Sequence, residues 1–165
     1  MKILVTAASK HGSTEEIATD LADELRQLGL DTAVVHPDDV TSLDPYAAVI
    51  IGSAVYAGQW MAPAKQFVDR FSDELKQRQV WLFSSGPAGD PPQPAPNKAV
   101  DVSAIIAATN AREHQVFAGK IERNALGFAE RTLVRAFHIA VGDYRDWSEI
   151  DAWAVEIAEA VMTQR

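Results

Sequence analysis

Five short apolar runs, at residues 3–5, 33–35, 48–51, 80–83 and 116–118, most constrain what this chain can become. Most are continuous rather than alternating in polarity, and three carry adjacent β-branched residues, as strands covered on both faces do. Helical periodicity fills the gaps between them. After the first run, Ile17, Leu21, Leu25 and Leu28 recur at three- and four-residue steps, with Ala18 and Ala22 beside them. Residues 62–78 place Phe67, Val68, Phe71 and Leu75 on one side, and residues 100–109 give a shorter helix. Ile150, Trp153, Ala154, Ile157 and Val161 pattern the last helix. Alternation of this kind predicts an α/β fold, a parallel sheet with helices on both faces. A chain of 165 residues fits one such domain, 1–165.

Two segments break the alternation. Residues 84–97, SSGPAGDPPQPAPN, hold five prolines and two glycines directly after the fourth run, which predicts a long surface loop. Residues 119–147 form an insertion before the last helix, and Trp147 at its end is expected to pack in the core. Within residues 119–142, Lys120, Arg123, Arg131 and Arg135 outnumber Glu122 and Glu130. Leu126, Ala129, Leu133, Ala136, Phe137 and Ala140 recur there with helical spacing. The pattern suits an amphipathic basic helix, which either packs on the sheet or docks peripherally on a membrane through residues 120–141.

Composition removes several function classes. A formal charge of −8 opposes general nucleic-acid binding, which needs a basic face. No apolar run nears the roughly 20 residues of a membrane span, and no basic-then-apolar leader is visible. Without cysteine there is no disulfide, thiol nucleophile or thiolate metal site, so the cytoplasm is the expected compartment. His11, His36, His114 and His138 never fall within one helical turn of each other, so no metal-ligand spacing appears.

The connection from first strand to first helix is unusual. Residues 7–13 are all small or polar with a single glycine, Gly12. In an open parallel sheet ligands bind beyond the strand C-termini. Ser9, Gly12, Ser13 and Thr14 can present hydroxyls and backbone N–H groups there, backed by the positive end of a helix. That is a phosphate cradle. Ser13-Thr14-Glu15-Glu16 equally fits a capping box, with Ser13 capping and Glu16 reaching back. The loop lacks both the three glycines of a dinucleotide fingerprint and the Gly-Lys-Ser/Thr of a nucleoside-triphosphate loop. A phospho-receiver would need acidic residues where Ala7-Ala8 stand and an aspartate at Gly52. Residues 52–63, after the third run, combine Gly52 and Gly58 with Tyr56 and Trp60. Together with SSGPAG at 84–89, they would suit a flat ring bearing a monophosphate. Each aromatic could equally cover the sheet's edge.

These features resemble the flavodoxin family across essentially the whole chain. The family's first loop reads Thr/Ser-x-Thr-Gly-x-Thr and holds the FMN phosphate. Ser9-Lys10-His11-Gly12-Ser13-Thr14 aligns with it, His11 replacing the middle hydroxyl. HGSTEEIA, GSAVYAGQWMAPAKQFV and GDYRDWSEIDAWAVEIA are most similar to the flavodoxin-domain group that includes menaquinone-dependent protoporphyrinogen oxidase. That group also carries extra sequence after its fifth strand. The resemblance implies a flavodoxin-like sheet of five parallel strands in the order 2-1-3-4-5, with FMN as cofactor. It implies contacts to FMN from Ser9, Lys10, His11, Gly12, Ser13 and Thr14, and from Ala54, Val55, Tyr56, Ala57, Gly58 and Trp60. The third set is Ser84, Ser85, Gly86, Pro87 and Gly89. A backbone amide near Ala57-Gly58 is the expected partner of the flavin N5 edge. No side chain need act as acid or base, since the flavin carries the chemistry. Three functions follow in order of preference: an FMN-dependent oxidoreductase passing electrons from a small organic donor to a quinone or redox protein, a pure electron carrier, and a flavin-free binding module.

Overall fold

The computed structural model describes residues 1–86, 100–121, 127–130, 132 and 142–164. In chain order these form β1 (Lys2–Ala8), α1 (Ser13–Gln27), β2 (Asp31–Val34), a 3-10 turn (Pro37–Asp39), β3 (Tyr46–Tyr56), β4 (Gln59–Trp60) and α2 (Ala62–Leu75). Then come β5 (Gln79–Ser85), α3 (Ser103–Thr109), β6 (Glu113–Phe117), β7 (Lys120–Ile121), β8 (Gly142–Asp143) and α4 (Trp147–Thr163). Five strands pair in parallel in the order β2-β1-β3-β5-β6, and the short β4 folds back antiparallel on β3. Leaving β4 aside, this is the expected 2-1-3-4-5 order. Strand order reverses between β1 and β3, which places the ligand crevice at their C-terminal ends.

Side chains alternate across each strand, so a continuous apolar run feeds both faces at once. On one face Ile3, Val5, Ile50, Phe83 and Phe117 meet Ile17, Leu21 and Leu25 of α1 and Trp153 and Ile157 of α4. On the other, Leu4, Val49, Ile51 and Leu82 meet Phe67, Val68, Phe71 and Leu75 of α2 and Ile105 of α3. Trp153 sits edge-on to both Phe83 and Phe117, at centroid distances of 6.2 and 5.5 Å.

Three local expectations change. Gly52 belongs to the interior of β3 rather than to a loop, because Gly52, Ser53 and Ala54 continue the strand past its apolar run. β6 starts earlier than residue 116, since Glu113, His114 and Gln115 lie on an edge strand that need not be apolar. Trp147 is not a core residue: it is 37% exposed, with its ring centroid 4.6 Å from the Arg145 guanidinium. The core tryptophan of α4 is Trp153.

β7 and β8 pair Lys120 with Asp143 and Ile121 with Gly142, so the two ends of the insertion are tied at one point. The expected amphipathic helix, with Leu126, Leu133, Arg131 and Arg135, lies outside the described residues apart from 127–130 and 132. So does most of the proline-rich loop, including Pro87 and Gly89.

Where α1 meets α4, the Asp20 carboxyl lies close to that of Asp151. Burial comes first, and the carboxyls of Asp151, Asp23 and Glu24 add to it, together raising the Asp20 pKa from 3.8 to about 6. Two carboxyls can share a hydrogen bond only while one keeps its proton. A group whose pKa is higher in the folded state stabilises fully below the unfolded value and loses that contribution as pH rises through the folded one. Asparagine mimics the protonated form. Asp20→Asn is therefore expected to stabilise the protein by about 1 kcal/mol at neutral pH after discounting for solvent screening. Near the unfolded value of 3.8 the gain should vanish. Melting temperatures of both proteins at the two pH values check this.

Candidate functional site

The first strand-end loop is built around Gly12, whose φ of 86° caps α1 in the left-handed region. A side chain there would be strained, and an added Cβ would meet nothing within 4 Å, so the space above the glycine is open. Ser9 Oγ accepts from the Gly12 N–H at 2.9 Å and holds the turn. The capping box does not form. Gly12, not Ser13, is the N-cap, and no side chain caps the first turn of α1. Glu16 turns aside to Arg145 instead, at 2.6 Å. Ser13 Oγ is buried with no hydrogen-bond partner among the described residues. An uncapped helix N-terminus with an orphaned buried hydroxyl beside it calls for an acceptor of several hydrogen bonds, and a phosphate fits.

Arg145 explains why the acidic start of α1 does not spoil this cradle. Its side chain is 3% exposed and lies between Glu16 and Asp143, with Nη1 also 3.3 Å from the Ser13 carbonyl oxygen. Asp143, bonded through both oxygens, raises the guanidinium pKa further, and Arg145 in turn lowers that of Asp143. The Glu16 charge is thus compensated locally.

The second loop is the β3–β4 hairpin. Tyr56 pairs with Gln59, leaving Ala57 and Gly58 as a two-residue turn with φ of 50° and 73°. Positive φ at both positions is the type I′ signature, and alanine is strained in it. Tyr56 points outward and is 41% exposed, whereas Trp60 is 3% exposed and part of the α2-side core. Ala54 and Val55 are half-buried on the way. Of the two aromatics, then, only Tyr56 is placed to face a ring. Trp60 is withdrawn because its Nε1–H donates to Ser84 Oγ at 2.8 Å. Ser84 Oγ also bonds His114 Nε2 at 2.7 Å. The indole can only donate, so Ser84 Oγ accepts from it, and burial lowers the pKa of His114. Ser84 and Ser85 are both buried at the C-terminal end of β5, beneath the third loop. Gly86 remains at the surface end of β5, its N–H donating to Phe117 O at 2.9 Å.

Lys10 and His11 are not merely solvated. Glu130 reaches back from the insertion to Lys10 Nζ at 2.7 Å and to His11 Nε2 at 2.8 Å. These two bonds lower the Glu130 pKa. Lys10 Nζ also lies 5.4 Å from the Tyr56 ring centroid, linking the first loop to the hairpin. Burial, and then the Glu130 charge, raise the Tyr56 pKa. Neither Glu130 nor Arg145 had a sequence signal for its contact with the first loop and helix, since His11 and Glu16 lie more than a hundred positions away. Beside the loop, an open groove of about 540 Å³ is lined by Gly12, Glu15, Glu16, Thr19, Asp20, Asp23 and Trp147. Its carboxylates make it a poor seat for an anion. Among the described residues no cluster of His, Asp and Glu could hold a metal, and no helix is long and apolar enough to cross a membrane.

Residues 4–146 match the family described as "Flavodoxin domain". The chain is 24% identical over 172 residues to "Protoporphyrinogen IX dehydrogenase [quinone]" of Escherichia coli (strain K12), covering 96% of this chain and 95% of that one. Among solved structures, a Streptococcus pneumoniae TIGR4 flavodoxin is similar, with a TM-score of 0.66 and 21% identity over 97% of this chain and 99% of its own. A rubredoxin oxygen:oxidoreductase from Desulfovibrio gigas shares the fold at a TM-score of 0.65 and 15% identity. Here the match covers 98% of this chain but 36% of that longer one.

Proposed function

The chain belongs to the flavodoxin domain family, and from that premise we propose that it is an FMN-binding oxidoreductase that moves two electrons and two protons from a reduced organic donor to a quinone. The observation that carries the FMN reading is the uncapped start of α1, with the unpartnered Ser13 hydroxyl beneath it, at the reversal point of the sheet. The amides of that first turn, Ser13 Oγ and Lys10 would hold the phosphate. Tyr56 would face the ring, and the Ala57-Gly58 turn would offer backbone groups to its edge. Bound there, FMN would supply reversible electron and hydride transfer. The rest falls to the protein: Arg145 keeps Glu16 off the loop, and the Trp60–Ser84–His114 chain holds the hairpin against β5. The donor and acceptor are suggested by the near full-length similarity to the Escherichia coli dehydrogenase. Any contact of residues 120–141 with a membrane, where a quinone would be met, belongs to the same proposal.

A second reading, electron carriage between proteins, is favoured by one observation: the acidic groove of Glu15, Glu16, Asp20 and Asp23 lies against the cofactor loop, where a basic redox partner would dock. Anaerobic assays with protoporphyrinogen IX and a soluble quinone separate the two. Catalysed porphyrin formation that requires the quinone is the expected result. No turnover, with electron exchange to a redox protein intact, would favour the carrier. Protein that takes up no FMN would leave only a flavin-free binding role.

A further inference from the structure

Residues 119–142 carry more basic than acidic side chains, yet the group they deliver to the first loop is a carboxylate. Lys10 and His11 are the two side chains of the 9–14 loop that can carry positive charge, and Glu130 engages both. The contact lies at the meeting of that loop with the hairpin, because the same Lys10 Nζ sits over the Tyr56 ring.

We infer that Glu130 is the specificity-determining residue at the phosphate end of the cofactor site: an internal anion that shares Lys10 and His11 with an incoming phosphate monoester, and so sets how strongly the site favours a phosphorylated flavin over an unphosphorylated one. The inference rests on the FMN reading above and adds the group against which the phosphate competes. A lysine ammonium has three hydrogens and can serve two anions at once. His11 Nε2 can offer one hydrogen, and Glu130 Oε2 holds that position. A phosphate monoester on the same loop carries between one and two negative charges at neutral pH and repels the carboxylate. Riboflavin lacks that group and is indifferent to it.

Glu130→Gln preserves the shape and removes the charge. Titrating the full-length, flavin-stripped protein with FMN and with riboflavin, read by quenching of flavin fluorescence, should show FMN binding about tenfold more tightly in the variant. Riboflavin affinity should be unchanged. Equal shifts for the two flavins, or weaker FMN binding in Glu130→Gln, would overturn the inference and leave the cofactor reading standing. Failure of the unsubstituted protein to bind FMN would overturn both.

Discussion

Gly52→Ala is expected to lose about 3 kcal/mol of stability, at the upper end of what overpacking a core does. The reason is steric and local. β3 and β5 pair Gly52 with Phe83, and the tip of the phenylalanine ring sits over the glycine. A Cβ there would fall 2.1 Å from Phe83 Cζ and 2.3 and 2.5 Å from its two Cε atoms. Atoms cannot come that close, so one of the two must move. The ring cannot swing freely, since it is wedged against Phe117 at 6.1 Å and Trp153 at 6.2 Å between centroids. Strand separation is the remaining response, and it disturbs the end of β3 that carries the hairpin. Chemical denaturation of Gly52→Ala, Phe83→Leu and the double variant tests this account. The smaller side chain at position 83 should recover much of the loss, giving a favourable coupling between sites in contact. Additive effects would mean that the glycine is required for another reason.

Ser13→Asp should separate folding from function by moving them in opposite directions. A carboxylate in the first turn of α1 interacts well with the helix dipole and adds roughly 0.3–1 kcal/mol. Glu15 and Glu16 already show that the helix tolerates acids there. For a phosphate at the same amides the new charge is repulsive, and the hydroxyl that would have donated to it is gone. At the separations possible within one loop these effects together amount to about 3 kcal/mol, or a hundredfold or more in FMN affinity. Riboflavin binding should hardly change. If FMN affinity instead survived in Ser13→Asp, the phosphate would have to lie elsewhere, and the family's loop would be only a turn in this chain.

The sheet and its covering helices were legible because burial on two faces leaves a continuous apolar run. Residues 3–5, 48–51 and 80–83 each fall inside a strand. Where the physics differs, so did the reading. β3 runs on through Gly52, Ser53 and Ala54, small residues chosen by close packing rather than by hydrophobicity. β6 begins with three polar residues because an edge strand has a solvated side. Ser13-x-x-Glu16 satisfies a capping pattern, but Glu16 finds a stronger partner in Arg145, 129 positions away. The loop proposed to seat the phosphate could be read locally, as backbone and hydroxyls. Its charge balance could not, since Glu130 and Arg145 arrive from the insertion through contacts that no spacing rule encodes. Trp60 shows the same limit. Its indole is turned inward by Ser84, which is in turn held by His114 from the neighbouring strand.

The central claim is that the open turn at residues 9–14 seats a flavin phosphate. Equilibrium titration of the flavin-stripped protein with FMN and riboflavin, side by side, tests it most directly. The account predicts saturable binding of FMN at one site per chain and markedly weaker binding of riboflavin. Equal affinity for the two, or no uptake of FMN at any excess, would contradict it.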